Sequence, residues 1–118
     1  MKTLRDRTKA FAVRVIRAYV ALPKHDVAHI IGRQLVRSGT STGAHCREGY
    51  RSRSDAELIS KYEAALQELD ETIYWLELLI EAEIVRPKRL ESLLAEANEI
   101  IAILVASVKT IKQRRGKR

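Results

Sequence analysis

Two pairs of side chains in this sequence have the types that metal binding or nucleophilic catalysis would need. His25 and His29 are four residues apart, a spacing at which two imidazoles on one helix can bind the same metal ion. No His-Glu-x-x-His pattern accompanies them. His45 and Cys46 could act as a base and a nucleophile, but adjacent side chains on a helix diverge by about 100°. We therefore expect no metal site, no catalytic residue and no cofactor, and we interpret His45 as a core or interface histidine.

The glycines and glutamates also lack the neighbours that phosphate-loop or di-metal chemistry requires. Gly39 and Gly43 are not followed by the Gly-Lys-Ser/Thr sequence of a phosphate-binding loop. A di-metal carboxylate bundle needs Glu-x-x-His motifs, and the sequence contains none. We interpret the glutamates as a solvated or intersubunit face; they are Glu63, Glu68, Glu71, Glu77 and Glu81. The sequence predicts a protein that is not an enzyme.

The arginines are the residues whose type and spacing favour a binding function. If residues 26–51 form one helix, Arg33, Arg37, Arg47 and Arg51 lie within about 80° of each other. Guanidinium groups bind phosphate oxygens bidentately and stay charged at physiological pH. We therefore predict a nucleic-acid-binding surface there, extended by other basic residues: Arg7, Arg14, Arg17, Lys112, Arg114 and Arg115.

The distribution of charge supports a polyanionic partner. Residues 1–53 carry a net charge of +9, residues 54–108 carry −8 and residues 109–118 carry +6, within an overall +7. A basic surface favours RNA or DNA, with affinity that falls as salt rises. Only 5% of the residues are aromatic, and Tyr50 alone is close to the arginines, which favours recognition of phosphates and shape over stacking on single strands. The alternative is a protein-interaction scaffold whose basic face binds an acidic partner or another subunit's glutamates.

Four stretches with helical periodicity predict the framework that positions these arginines. The first extends over about residues 3–22 and ends before Pro23. The second begins after Asp26 as N-cap and extends to about Arg51. Its run of glycine, serine and threonine at 38–43 has low helix propensity, so a loop is the alternative there. We predict a continuous helix because the arginines and a seam of apolar and small residues stay in phase across the run: Val27, Ile31, Leu35, Ser38, Thr42, His45, Cys46 and Gly49.

The third and fourth helices complete an all-α fold. Ser54 and Glu57 form a Ser-x-x-Glu capping box, and Pro87 suits the first turn of the fourth helix. Apolar residues then recur at steps of three and four in both segments. Short connections predict an up-down-up-down antiparallel four-helix bundle over residues 1–111, followed by a basic tail at 112–118 that we expect to be disordered.

A second apolar side on the later helices predicts self-association. Trp75, Leu78 and Ala82 lie opposite the core seam of the third helix and are the expected oligomer interface. Additional apolar residues widen the surface of the fourth helix: Leu93, Ile100 and Ile103. The alternative is that these side chains are buried in one wide core.

The N-terminal residues and the single cysteine indicate in which cellular compartment the protein is expected. Met1–Asp6 begins no secretory signal, and no apolar run approaches the roughly 20 residues of a membrane-spanning helix. A lone cysteine forms no disulfide within the chain, which fits a reducing environment. We expect a soluble, cytoplasmic protein without a membrane partner.

The second predicted helix also carries a family motif. Residues 34–50 resemble the family called four-helix bundle protein or 23S rRNA intervening-sequence protein, with a leucine- and glutamate-rich third helix after it. The residues that coincide with the family pattern are Gln34, Arg37, Ser41, Glu48 and Gly49. Thr42, His45 and Cys46 stand where the family has Ile, Asn and Ile.

The resemblance implies a non-catalytic bundle. The family is also similar to the accessory variability determinant of diversity-generating retroelements, a basic bundle that assembles into a pentamer and binds nucleic acid and a reverse transcriptase. By that resemblance we expect a homopentamer that binds RNA or DNA, either beside a reverse transcriptase or as a relative encoded in an rRNA insert. The family supplies no catalytic residues.

Overall fold

Helix caps define most of the boundaries in this chain. The computed structural model describes residues 3–116. Its helices are α1 (Leu4–Val20), α2 (Asp26–Tyr50), α3 (Asp55–Glu81) and α4 (Pro87–Gly116). The Thr3 hydroxyl accepts from the backbone N–H of Asp6 at 3.0 Å, and the Ser54 hydroxyl accepts from that of Glu57 at 3.1 Å. Each hydroxyl satisfies one of the open N–H groups of a first turn, so the predicted boundary at Ser54 is confirmed.

The start of α2 differs from the prediction by one residue. His25, and not Asp26, has the extended backbone of an N-cap, and its Nδ1 accepts from the N–H of Ala28 at 3.3 Å. Asp26 is instead the first residue of the helix. A carboxylate is favoured there by the positive end of the helix dipole. Both side chains can accept a hydrogen bond, so the pattern of residue types did not distinguish them.

The glycine, serine and threonine run does not interrupt α2. The Ser41 hydroxyl donates to the carbonyl of Arg37 at 2.6 Å, and the Thr42 hydroxyl donates to that of Ser38 at 3.0 Å. These bonds satisfy the hydroxyl groups inside the helix, so they do not compete with it. The predicted continuous helix is confirmed.

The small residues of α2 let α1 approach closely. Gly32 lies against the ring of Tyr19, and Gly39 lies against Val15. A Cβ atom at Gly39 would stand 2.8 Å from a methyl carbon of Val15, so any larger side chain collides with α1. The backbones of α1 and α2 therefore pack at a separation that only glycine permits at these positions.

The four helices form the predicted up-down-up-down bundle. α2 packs against α1 and α3, α4 packs against α3 and α1, and the described residues extend over 54 × 24 × 21 Å. The largest fully buried side chains form one core: Phe11, Val15, Leu35, Leu69, Leu76, Leu79, Ile100 and Leu104. Over residues 3–116 no helix is apolar for long enough to cross a membrane. The all-α class is confirmed.

Several expectations about individual residues are corrected. Val27 was placed in the core seam of α2 but is 54% exposed. Leu93 and Ile100 are buried, so they belong to one wide core and do not form a second surface. Helix α4 continues to Gly116, so residues 112–116 of the expected tail are helical; residues 117 and 118 lie outside the described residues.

Glu83 in the α3–α4 connection offers a direct test of backbone strain. It has a φ of 60°, in the left-handed region that favours glycine. Its side chain is exposed and no hydrogen bond to it is present in the described structure. We expect Glu83→Gly to raise the free energy of unfolding by about 1 kcal/mol in urea denaturation. Glu83→Ala, which keeps the Cβ atom, should bring no such gain; an equal gain would show that the side chain, and not the backbone, is the cause.

Candidate nucleic-acid interface

The four arginines of α2 are all exposed, as expected, but one of them is already paired. The Arg37 guanidinium forms ion pairs with Glu68, at 3.3 Å, and with Glu71 on α3. The Arg37 guanidinium therefore already has two carboxylate partners within the chain, and a phosphate would have to displace them. Within residues 3–116, three arginines of this helix form no ion pair: Arg33, Arg47 and Arg51.

Of the three α1 arginines that were expected to extend this surface, Arg7 and Arg14 contact α4, and Arg17 is exposed with no ion pair among the described residues. Arg7 holds Glu96 of α4 bidentately, with Nη2 at 2.7 Å and Nε at 3.2 Å from its two carboxylate oxygens, and also contacts Glu99. Arg14 donates to the hydroxyl of Ser92 on α4 at 2.9 Å. These two side chains join α1 to α4, so a phosphate bound by Arg7 or Arg14 would have to compete with these contacts.

The Arg7 pair predicts a pH dependence of stability. The hydrogen bond from Arg7, aided by its charge, lowers the pKa of Glu96 below its ordinary value of 4.5. A lowered pKa in the folded state stabilises the fold above pH 4.5, and this contribution is lost as pH falls through the folded-state pKa. We expect Glu96→Gln to lower stability at pH 7 and to differ less from the parent below pH 4 in thermal unfolding. Glu99→Gln should have a smaller effect, because Glu99 is 66% exposed and its contact with Arg7 is 3.4 Å.

Two basic residues at the end of α4 are also held within the chain. Lys112 donates to Glu63 at 3.2 Å, and Arg114 binds Asp55 with a shortest distance of 2.8 Å. Arg115 is exposed and, among the residues described, has no ion-pair partner. The predicted phosphate contacts of Lys112 and Arg114 would therefore have to displace carboxylates of α3.

The free cations of α1 and α2 meet across a cleft between the two helices. Arg5 and Lys9 of α1 and Arg47 of α2 line a groove of about 290 Å³, which we call the basic groove. Its remaining lining residues are small: Thr8, Ala12, Thr40, Gly43 and Ala44. Lys9 and Arg47 form no ion pair within the described chain, and no carboxylate lines the groove. Arg5 and Lys9 were not among the predicted site residues, although their spacing of four residues places them on one side of α1.

The exposed side chains of α1 and α2 change in character along the two helices, from basic to apolar. The basic groove occupies the half near the start of α1, and exposed apolar side chains occupy the half near the α1–α2 connection. These apolar side chains are Val13, Ile16, Val20, Val27 and Ile30. An apolar patch of this kind favours contact with a partner.

The residues expected to form an oligomer interface are less exposed than this patch. The Trp75 indole donates to Glu71 at 3.0 Å, and its ring packs partly against the core. Leu78 is half-buried, and Ala82 is exposed. Of the five exposed apolar residues, only Val27 was expected in the core, and the sequence pattern singled out none of them as an interface.

The candidate chemical residues do not line the basic groove. Burial raises the pKa of the Cys46 thiol to about 11, which keeps it protonated and unreactive at physiological pH. His45 is half-buried and its Nδ1 lies 3.2 Å from Glu48, and His29 contacts the Tyr19 hydroxyl at 3.3 Å. Over residues 3–116, no three His, Cys, Asp or Glu side chains are grouped closely enough to hold a metal ion.

Comparisons with known proteins agree with this fold. The model of a family described as 23S rRNA-intervening sequence protein matches residues 3–106. A crystal structure of a protein of unknown function from the S23 ribosomal protein family of Bacteroides thetaiotaomicron is 38% identical and has a TM-score of 0.85. The match covers 90% of this chain and 95% of that one. None of the curated proteins matches the chain.

Proposed function

The chain belongs to the 23S rRNA-intervening sequence protein family, and from that premise we propose that it is a non-catalytic bundle that binds nucleic acid through the basic groove. The observation that supports this function is the convergence of Arg5, Lys9 and Arg47, from two helices, on a cleft whose lining contains no carboxylate. Phosphates entering the groove meet donors on both walls and no like charge. The name of the family makes RNA the first ligand to test.

The position of Arg51 extends the groove along α2. Arg51 is the C-cap residue of α2, four residues after Arg47, so the two side chains lie at the same end of the helix. Both are exposed and, within the described residues, neither is paired. A phosphate backbone lying along α2 could therefore contact both in succession, and this supports binding of a strand over binding of a single phosphate.

The apolar patch supports self-association as part of this function. Its side chains belong to the same two helices as the groove, and their exposure favours contact with a second copy of the chain. The resemblance to the accessory determinants of retroelements extends this to a pentamer and a reverse transcriptase partner. Light scattering of the purified chain tests the assembly, and co-purification with a reverse transcriptase encoded beside it tests the partner.

A salt series tests nucleic-acid binding itself. We expect labelled RNA or DNA to be retained at low salt, with log affinity falling linearly with log salt concentration. Four phosphate contacts, from Arg5, Lys9, Arg47 and Arg51, correspond to a slope of about −3. Filter binding or fluorescence anisotropy measures this slope. Absence of retention at low salt, or a slope near zero, would contradict the proposed function.

A further inference from the structure

Tyr50 is an exposed aromatic ring at the edge of the basic groove. It is the last residue of α2 and 66% of its surface is exposed. The Arg5 guanidinium lies over its ring, 4.5 Å from the centroid, and so covers one face. Arg47 precedes Tyr50 by three residues, about 4.5 Å along the helix axis. An aromatic face and free cations are therefore adjacent.

A second cleft begins on the other side of Tyr50. The connection between α2 and α3 forms a cleft of about 280 Å³, which we call the turn cleft. It is lined by Gly49, Tyr50, Ser52, Arg53, Ser54, Asp55, Leu58 and Tyr62. The Tyr62 ring packs on Gly49, where a Cβ atom would stand 3.0 Å from it. The cleft thus presents two tyrosine side chains together with polar and charged groups, Arg53 and Asp55 among them, a lining that suits a planar ring with polar edges.

The two clefts and the ring between them suit an unpaired nucleotide. In a duplex each base is stacked and paired, so its face is not open to an exposed tyrosine. A single strand can turn one base onto a protein ring while its phosphates stay on cationic side chains. Phosphate contacts alone would not require an aromatic side chain at this position.

Building on the proposed function, we propose that the ligand is a single strand, with one unpaired base stacked on Tyr50 at the turn cleft and the adjoining phosphates held by Arg5, Lys9 and Arg47. This differs from the expectation drawn from the low aromatic content. One ring is sufficient here because it lies between a basic groove and a cleft with polar side chains, an arrangement that the composition does not show.

The test compares a short labelled RNA without self-complementarity with the same RNA annealed to its complement, at one fixed salt concentration. The parent protein should bind the single strand more tightly. Tyr50→Ala should weaken single-strand binding roughly tenfold and leave duplex binding unchanged, because base stacking is lost while the charges remain. Tyr50→Phe should retain the preference. Tyr74→Ala is the matched control, since Tyr74 is 51% exposed on α3 and away from both clefts, and it should change nothing.

The outcomes separate this inference from the function on which it rests. If the parent protein binds neither RNA, the proposed function fails and the inference fails with it. If the parent binds single strand and duplex alike, or if Tyr50→Ala weakens both equally or neither, the stacked base is rejected while nucleic-acid binding stands. Circular dichroism of Tyr50→Ala should match that of the parent, so that a change in binding is not a change in fold.

Discussion

Charge reversal of Lys9 and Arg47 together is expected to lower the affinity for nucleic acid by on the order of a hundredfold or more. The two side chains face each other from α1 and α2 across the basic groove, and within the described residues neither is paired. A hydrogen bond to a charged group contributes about 1.5–3 kcal/mol, and two such contacts are lost in Lys9→Glu, Arg47→Glu. The magnitude of the salt slope should also fall by about two in fluorescence anisotropy titrations.

The control for this variant is a double reversal at the other end of the bundle. Arg86 and Arg89 are exposed and form no ion pair in the described chain, so Arg86→Glu, Arg89→Glu changes the net charge by the same amount. That variant should retain most of the affinity, because only the overall field changes and not the groove. Equal losses in the two variants would show that binding follows net charge and that the basic groove is not the site.

Arg37 provides a further comparison, because the sequence and the structure assign it different roles. The spacing of the arginines on α2 predicts that Arg37 contacts phosphate along with Arg47. The structure places its guanidinium on Glu68 and Glu71, so its removal should weaken the packing of α2 on α3 more than the binding of nucleic acid. The periodicity of a helix predicts on which of its faces a residue such as Arg37 lies. It does not predict which carboxylates of a neighbouring helix will pair with that residue.

The fold could be predicted from the sequence because its determinants are local. The signals that predict four helices and short connections each act within one or two helical turns. They are the three-four spacing of apolar residues, Pro23 and the Ser54 cap. Helix α2 was predicted across Gly39 because the small residues and the arginines remain in phase there. The boundary error at His25 is of the same local kind and amounts to one residue.

The candidate site could be predicted only in part because it depends on contacts between helices. Arg7 and Lys112 are cations of the same types as Arg47 and Lys9. Arg7, however, forms an ion pair with Glu96, and Lys112 forms one with Glu63. Which cations remain free is decided by the rotation of each helix about its axis. The same rotation decides that Val27 is exposed while the adjacent Ala28, about 100° around the helix, is buried. Sequence spacing does not fix such angles.

The contact between Gly39 and Val15 shows that the packing of α1 on α2 depends strongly on a single residue. Gly39→Val is expected to lower the free energy of unfolding by about 2–3 kcal/mol, although valine is the better helix former. Its Cβ would stand 2.8 and 2.9 Å from the two methyl carbons of Val15, and both residues are buried. Urea denaturation should show a lower midpoint with an unchanged slope.

Removing the opposing methyl groups tests the cause. Val15→Ala alone leaves a cavity and destabilises the bundle, but it also makes room for a side chain at residue 39. The double variant Val15→Ala, Gly39→Val should therefore cost less than the sum of the two single variants, by at least about 1 kcal/mol. Strict additivity would contradict the collision as the reason for glycine at this position. Because Arg5 and Lys9 lie on α1 and Arg47 on α2, a bundle forced apart at Gly39 should also bind nucleic acid more weakly, and the double variant should recover part of that binding.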